Sequence, residues 1–315
     1  MRPRKREILL LDTKRHKAQG LRLKVKREGL MIIGIVLLWM ILCLGCASVT
    51  LQFASPLFSK FSASMFEECD SQLAKTAIPA QLKMLEGLLK SDPENREALV
   101  TLSMGFSGYS LLYVEDEDPG RASALYLRAR TYGLRALGDK GKALGDPQNW
   151  KGNRMYAALE AVTKKELEAL FWTTVAWNAW INLNLDKPSA LAQLGIAQAC
   201  LERVLQLDAN YFYGMPDILM GISLSARPQM FGGDVGRAKA FFEKALALTQ
   251  RKFLLAQYYY ARYYAVRTQD KTLFLELIEE ISRGKPETLK DVCLINTMAQ
   301  EKAMHLKAMS EELFF

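Results

Sequence analysis

Two histidines, His16 and His305, are all that the 315-residue sequence holds. Only His305 lies beyond the basic N-terminal segment. A lone imidazole builds neither a typical zinc site nor a Ser-His-Asp arrangement. No GxxxxGK[ST] or GxGxxG element occurs, so no phosphate or dinucleotide cradle is expected. Gly232-Gly233-Asp234-x-Gly236 resembles one superficially, but it follows Pro228 rather than a strand. The expectation there is a turn with Asp234 capping the next helix. Glu115-Asp116-Glu117-Asp118 is a dense acidic run ahead of a helix start, where the helix dipole favours carboxylates. It lacks the glycine-punctuated spacing of a calcium loop, so a solvated loop and a helix cap are expected. Cys69, Cys200 and Cys293 form no CxxC pair and suggest no disulfide framework. Cys200 and Cys293 lie among apolar residues and are expected to be buried as small hydrophobes. No catalytic set, metal or cofactor is expected.

The residues that remain are aromatic. Trp172, Trp177 and Trp180 stand on one helical stretch that is apolar nearly all round, so it is expected to be buried on most sides. Tyr211, Tyr213, Met215, Met220 and Phe231 follow within 60 residues. These eight are the candidate lining of a ligand cavity or pore, since small-ligand sites are apolar pockets with a few polar tips. Plain core packing is the competing reading. Burying each aromatic body stabilises by about 2–3 kcal/mol either way, so energetics does not choose between them. Tyr258–Tyr260, Tyr263 and Tyr264 make a second aromatic helix, expected in the core or at an oligomer interface.

What would position these residues is a duplicated helical unit. Leu85-Glu86-x-x-Leu89-x-x-Asp92 recurs 116 residues on as Leu201-Glu202-x-x-Leu205-x-x-Asp208. Met104-Gly105-x-Ser107 recurs as Met220-Gly221-x-Ser223, and Asp118-x-Gly120-Arg121-Ala122 as Asp234-x-Gly236-Arg237-Ala238. An ungapped internal repeat signals a repeat architecture. Leu99, Leu102 and Phe106 fit the first helix of a pair. Ala122-x-x-x-Tyr126-x-x-Ala129 and Ala238-x-x-x-Phe242-x-x-Ala245 fit the second, where small residues let helices approach and an aromatic fills the gap. The unit resembles a tetratricopeptide repeat, but from Pro93 the alanine arrives about seven residues late for a 34-residue unit. The first helix or its following loop is therefore extended in both copies. The fold class is all-α: tetratricopeptide-like antiparallel helix pairs stacked as a compact superhelix, with a helical insertion at 138–187. Helices are expected near 57–75, 78–90, 95–113, 119–137, 148–161, 164–184, 188–206, 210–225, 235–249, 252–267, 270–282 and 286–309. Thr163-x-x-Glu166 reads as a capping box, and Pro188 sits at a helix start.

The formal charge of +8 is a property of one end. Residues 1–28 hold eleven Lys or Arg against three Asp or Glu, and the remainder is balanced. That excludes a nucleic-acid footprint as the source of the basic pI. The basic stretch leads into an apolar run from Leu30 to Leu44 and then Gly45-Cys46-Ala47-Ser48, the order of a secretory signal. Residues 1–45 are read as a leader with lipidation at Cys46, residues 46–75 as a linker and first helix, and residues 76–315 as the helical domain with its repeat at 85–129 and 201–245. The alternative is an uncleaved anchor, although the run is slightly short of the roughly 20 residues that span a bilayer.

At several of these stretches the chain resembles the T component associated with tripartite ATP-independent periplasmic (TRAP) transporters. The matching stretches are the run from Val114 to Ala122, Tyr132 to Arg135, Phe171-Trp172 with Ala176-Trp177 and Trp180 to Asn182, Glu202 to Asp208, Ala261 to Val266, and Leu294 to Asn296 with Ala299, Lys302 and Ala303. The resemblance implies a non-enzymatic periplasmic lipoprotein that forms homotrimers and docks the solute-binding P component. It further implies a hydrophobic passage for a small apolar or organic-acid ligand. The alternative function is a general tetratricopeptide scaffold lipoprotein in envelope assembly. A helical peptidoglycan lyase is a third class, though no catalytic-domain motif accompanies any glutamate.

Overall fold

A computed structural model describes Gly34, residues 60–150 and residues 153–314. The leader, the rest of its apolar run and Cys46 lie outside the described residues. Among the described residues the chain is helical with no strand. Residues 60–67 form α1, followed by α2 (Ser71–Leu89), α3 (Arg96–Tyr109), α4 (Pro119–Ala136), α5 (Asp139–Gly145) and α6 (Asn153–Glu160). Then come α7 (Leu167–Asn182), the single turn α8 (Pro188–Leu191), α9 (Leu194–Asp208), α10 (Tyr211–Ala226) and α11 (Val235–Leu248). Finally α12 (Leu254–Tyr259) runs through a π-helical segment, Tyr260–Ala265, into Val266–Thr268, and α13 (Lys271–Arg283), α14 (Cys293–Ala308) and α15 (Ser310–Leu313) close the chain.

The helix starts follow from side-chain chemistry. Asp118 accepts a hydrogen bond from the Arg121 amide at 2.9 Å, and Asp234, its counterpart 116 residues on, accepts from the Arg237 amide at 3.0 Å. Each satisfies a backbone donor that has no partner inside its helix. Thr163 and Glu166 form the reciprocal capping box, with the Thr163 amide donating to Glu166 at 2.8 Å. Pro188 stands in the first turn of α8. Gly232 takes a left-handed φ of 86° at the turn before Asp234, a conformation that glycine adopts without a Cβ clash.

Sequence and structure part at Pro79. The expected break between residues 75 and 78 is absent, and Pro79 lies inside α2. An interior proline costs about 3 kcal/mol. Ala74 on one side of it and Leu82, Leu85 and Leu89 on the other are all buried, and that packing carries the helix through.

The two copies correspond in their packing. Ala122, Tyr126 and Ala129 of α4 are fully buried, and so are Ala238, Phe242 and Ala245 of α11. Helix α3 packs on α4, and α10 packs on α11. The extra residues between the helices of each pair are accommodated differently. In the first copy α3 continues as a π-helical turn, Ser110–Val114. In the second, α10 stops before Arg227 and a 3₁₀ turn, Gln229–Phe231, follows.

Helix α7 sits among both copies, in contact with α3, α4, α9 and α10. Nearly all of it is buried, as its apolar circumference requires. It approaches α4 closely at Gly133, where a Cβ would fall 2.1 Å from the Thr173 hydroxyl. At the other end of the chain α14 packs on α12, α13 and α2. Cys293, at the start of α14, is joined to Cys69, just after α1, with Cα atoms 5.2 Å apart. This corrects the reading of Cys293 as a simple buried hydrophobe. Among the described residues Cys200 is a buried free thiol, pushed by burial to about 12.

Candidate functional site

The residues expected to line a cavity gather around α7, but in separate groups. Trp172 joins an aromatic cluster with Phe171 and with Phe212 at the start of α10, ring centroids 4.8 and 5.3 Å away. Tyr211 meets Phe171 edge-on at 4.9 Å. Such edge-to-face pairs are the favoured geometry for ring quadrupoles. Tyr213 turns the other way and stacks on Phe253 at 5.3 Å. This divergence is produced by the backbone: Phe212, Tyr213 and Gly214 have φ of 44°, 60° and 78°. Two bulky residues at positive φ are strained, and the rings packed around Phe212 hold them there. Nothing at the corresponding start of α3 shows this conformation among the described residues.

Trp177 and Trp180 form a second group. The Trp177 indole donates to the Gln193 amide oxygen at 2.8 Å. The Arg130 guanidinium lies 4.9 Å from the Trp177 ring centre and 5.6 Å from that of Trp180. Burial lowers the pKa of Arg130, and the two ring faces and Gln193 supply its stabilisation in place of a carboxylate. Phe231 stands apart, on an exposed turn beside Met230.

Met215 lines a small recess at the junction of the two copies, about 30 Å³. Its walls are Val175, Asn178 and Asn182 from α7, Leu219 and Ser223 from α10, Tyr259 and Tyr263, and Glu115. Asn178 is held from behind by Arg227, whose Nη2 donates to its Oδ1 at 3.1 Å. Arg227 also donates to Gln198 at 3.0 Å, an amide that reaches Met220 through an Nε2 contact of 3.3 Å to its sulfur. Only 5 % of Arg227 is exposed, and its partners are neutral amides. Burial accordingly lowers its guanidinium to about 10.

The acidic run proves to be structural in its first half. Burial raises the Glu115 carboxyl above its usual range, and the Tyr126 hydroxyl that donates to it offsets only part of this. Burial alone would also raise Asp116, but Lys302 and Arg262 outweigh it and hold that carboxyl low. Arg262 donates to Asp116 at 2.8 Å, and Lys302 pairs with its other oxygen. Asp118 is the expected cap, and Asp116 lies exposed in the turn before it; Glu115, half-buried, is where the solvated-loop reading fails. Sequence reading missed both pairings because their partners lie far along the chain. The one local signal was Arg262, set between tyrosines in an otherwise apolar helix.

A larger apolar cavity, about 210 Å³, lies elsewhere, between α1, α2 and α3 with Leu294 of α14. Among the described residues no group of three or more His, Cys, Asp or Glu side chains is placed to hold a metal ion. The arrangement offers apolar recesses and a buried guanidinium, Arg227.

Comparison with protein families decides what this architecture belongs to. The profile of the TRAP transporter T-component matches residues 67–314, most of the chain. The chain belongs to the TRAP transporter T-component family. A search of curated proteins returned no match. T components are a non-catalytic family, and this chain is a member of it. The family match ends one residue short of the C-terminus and spans both copies of the repeat, α7 between them, and the C-terminal helices that carry the disulfide.

Proposed function

We propose that this T component is an accessory subunit of a TRAP-type uptake system, docking the periplasmic solute-binding P component. The family match over residues 67–314 carries the reading. In this account residues 76–315 are a tetratricopeptide-like superhelix that assembles as a homotrimer. It is held at the membrane from the periplasmic side by lipid on Cys46 or by an uncleaved N-terminal helix. The Cys69–Cys293 disulfide supports an extracytoplasmic setting, since such bonds persist in oxidising compartments. No helix among the described residues is long and apolar enough to cross a membrane, which leaves anchoring to the segment before residue 60.

The ligand in this reading is a small hydrophobic molecule or organic acid. Its passage runs beside α7 through the recess that Met215 lines; the other sequence candidates, Trp172, Trp177, Trp180, Tyr211, Tyr213, Met220 and Phe231, stand outside that recess. Arg227, buried behind Asn178 and held by neutral amides, would favour an anionic head there. Surface plasmon resonance between the full chain and the P component encoded beside it tests the docking. Saturable binding supports the proposal; a flat response at high micromolar P component overturns it.

A further inference from the structure

A polar cleft of about 450 Å³ opens where the turn before α12 meets the end of α13 and the 3₁₀ segment Pro286–Val292. It shares no lining residue with the recess that Met215 lines. Among the described residues its walls carry four cations, Arg251, Lys252, Arg283 and Lys285, against one carboxylate, Glu280. That carboxylate is already engaged, since Arg251 donates to its two oxygens at 2.9 and 3.0 Å. Arg283 pairs with Glu279, one turn back on α13. Lys252 donates to the neutral Gln250 amide at 2.9 Å, and Lys285 is exposed. Neither lysine has a carboxylate partner among the described residues.

Buried amides fix the cleft from behind. Asn296 of α14 donates to the Lys252 carbonyl at 3.0 Å and accepts from the Leu254 amide at 2.8 Å. Gln300, one turn on, donates to the Gly284 carbonyl at 2.8 Å. Both lysines therefore stem from backbone that one helix holds in place.

Gln257 decides what the cleft accepts. It lines the cleft and is only 1 % exposed. Its Nε2 donates to the Arg251 carbonyl at 2.7 Å, so the amide does not turn over without setting oxygen against oxygen. Its Oε1 is left without a hydrogen-bond partner, a costly state for a buried acceptor. The cleft thus calls for acceptor oxygens at the lysines and one donor at Gln257. Ionised carboxylates offer acceptors alone, and so does sulfate. Hydrogen phosphate offers both, because it keeps an O–H at neutral pH, and a phosphomonoester regains one as pH falls toward about 6.

We propose that this cleft binds a phosphate group through Lys252 and Lys285, with the hydroxyl of that group donating to Gln257. The group is either free phosphate or the monoester headgroup of a lipid. The site is independent of P-component docking and stands whether or not that partner binds.

Isothermal titration calorimetry on the full chain in neutral detergent, near pH 6, tests it. The probes are inorganic phosphate, sulfate, and the soluble lipids dihexanoyl phosphatidic acid and dihexanoyl phosphatidylcholine. Saturable phosphate binding is expected, with sulfate weaker by about tenfold or more because it leaves Gln257 unpaired. Gln257 itself is left in place, since replacing it would also release the Arg251 carbonyl. Combining Lys252→Gln with Lys285→Gln removes two exposed ammonium groups. That variant is expected to lose about tenfold or more in phosphate affinity at an unchanged melting temperature. Tighter binding of phosphatidic acid than of phosphate, with none of phosphatidylcholine, assigns the site to a headgroup; the reverse order assigns it to free phosphate. Equal affinity for sulfate, binding that survives in the double variant, or no binding of either phosphate probe overturns the site.

Discussion

Single residues in this protein carry charge where charge is costly. Glu115 is the sharpest case, with its carboxyl raised chiefly by burial at the junction of the two copies. A carboxylate penalised in the folded state makes the fold less stable at neutral pH than a neutral isostere would. Folding then binds a proton, so the penalty fades as pH falls through the raised folded value. Glu115→Gln keeps an oxygen for the Tyr126 hydroxyl and removes the charge. The expected result is equal or greater stability than wild type at pH 7, with the difference shrinking toward pH 5. Urea unfolding at both pH values checks it; a large loss at pH 7 would mean that the charge is needed by Lys302 and Arg262. Glu86 behaves in the opposite sense. Burial would raise it, but hydrogen bonds from Lys83, Tyr132 and Arg128 prevail and hold its carboxyl low. Its contribution is present at neutral pH and is lost as pH falls below the ordinary carboxylate range.

At the level of elements, the disulfide is the feature with the largest expected effect. It joins residues 224 apart in sequence and pins α1 to the body. Cys69→Ala leaves Cys293 as a buried thiol, which a core tolerates. The substitution should lower stability by about 2–4 kcal/mol and expose the segment before Ser71 to protease. An unchanged denaturation midpoint and cleavage pattern would show that packing alone holds α1. Other elements were legible in the sequence because their causes are local. Asp118, Asp234 and Thr163 with Glu166 announce helix starts through side chains that reach only three residues. The Ala-x-x-x-aromatic-x-x-Ala spacing marked α4 and α11 because it repeats the geometry of one helix face. What sequence hid depends on distant partners. The Cys69–Cys293 bond, the Asp116 pairs with Arg262 and Lys302, and the cavity walled by α1, α2 and α3 all join segments far apart in sequence. The helix through Pro79 is the same lesson inverted, since a local breaker is overruled by burial on both sides of it. The positive-φ run at Phe212–Gly214 likewise depends on rings from α1 and α7. Of the eight candidate lining residues, the three tryptophans stand on α7, the helix their spacing marked. Sequence reading could not foresee that Trp177 and Trp180 would share Arg130, or that Phe231 would face solvent.

For the whole molecule, two similar helical units flank a buried, tryptophan-rich helix, and the C-terminal helices are tied back to the N-terminal one. This gives apolar recesses and, among the described residues, no group of His, Cys, Asp or Glu placed to hold a metal, in a chain that belongs to the T-component family. The central claim is that such a body works by assembling and docking. Native mass spectrometry of the full chain released from nanodiscs, alone and with its cognate P component, tests that most directly. The account predicts a trimer that retains P component in a fixed stoichiometry. A monomer that carries no P component at any concentration would contradict it.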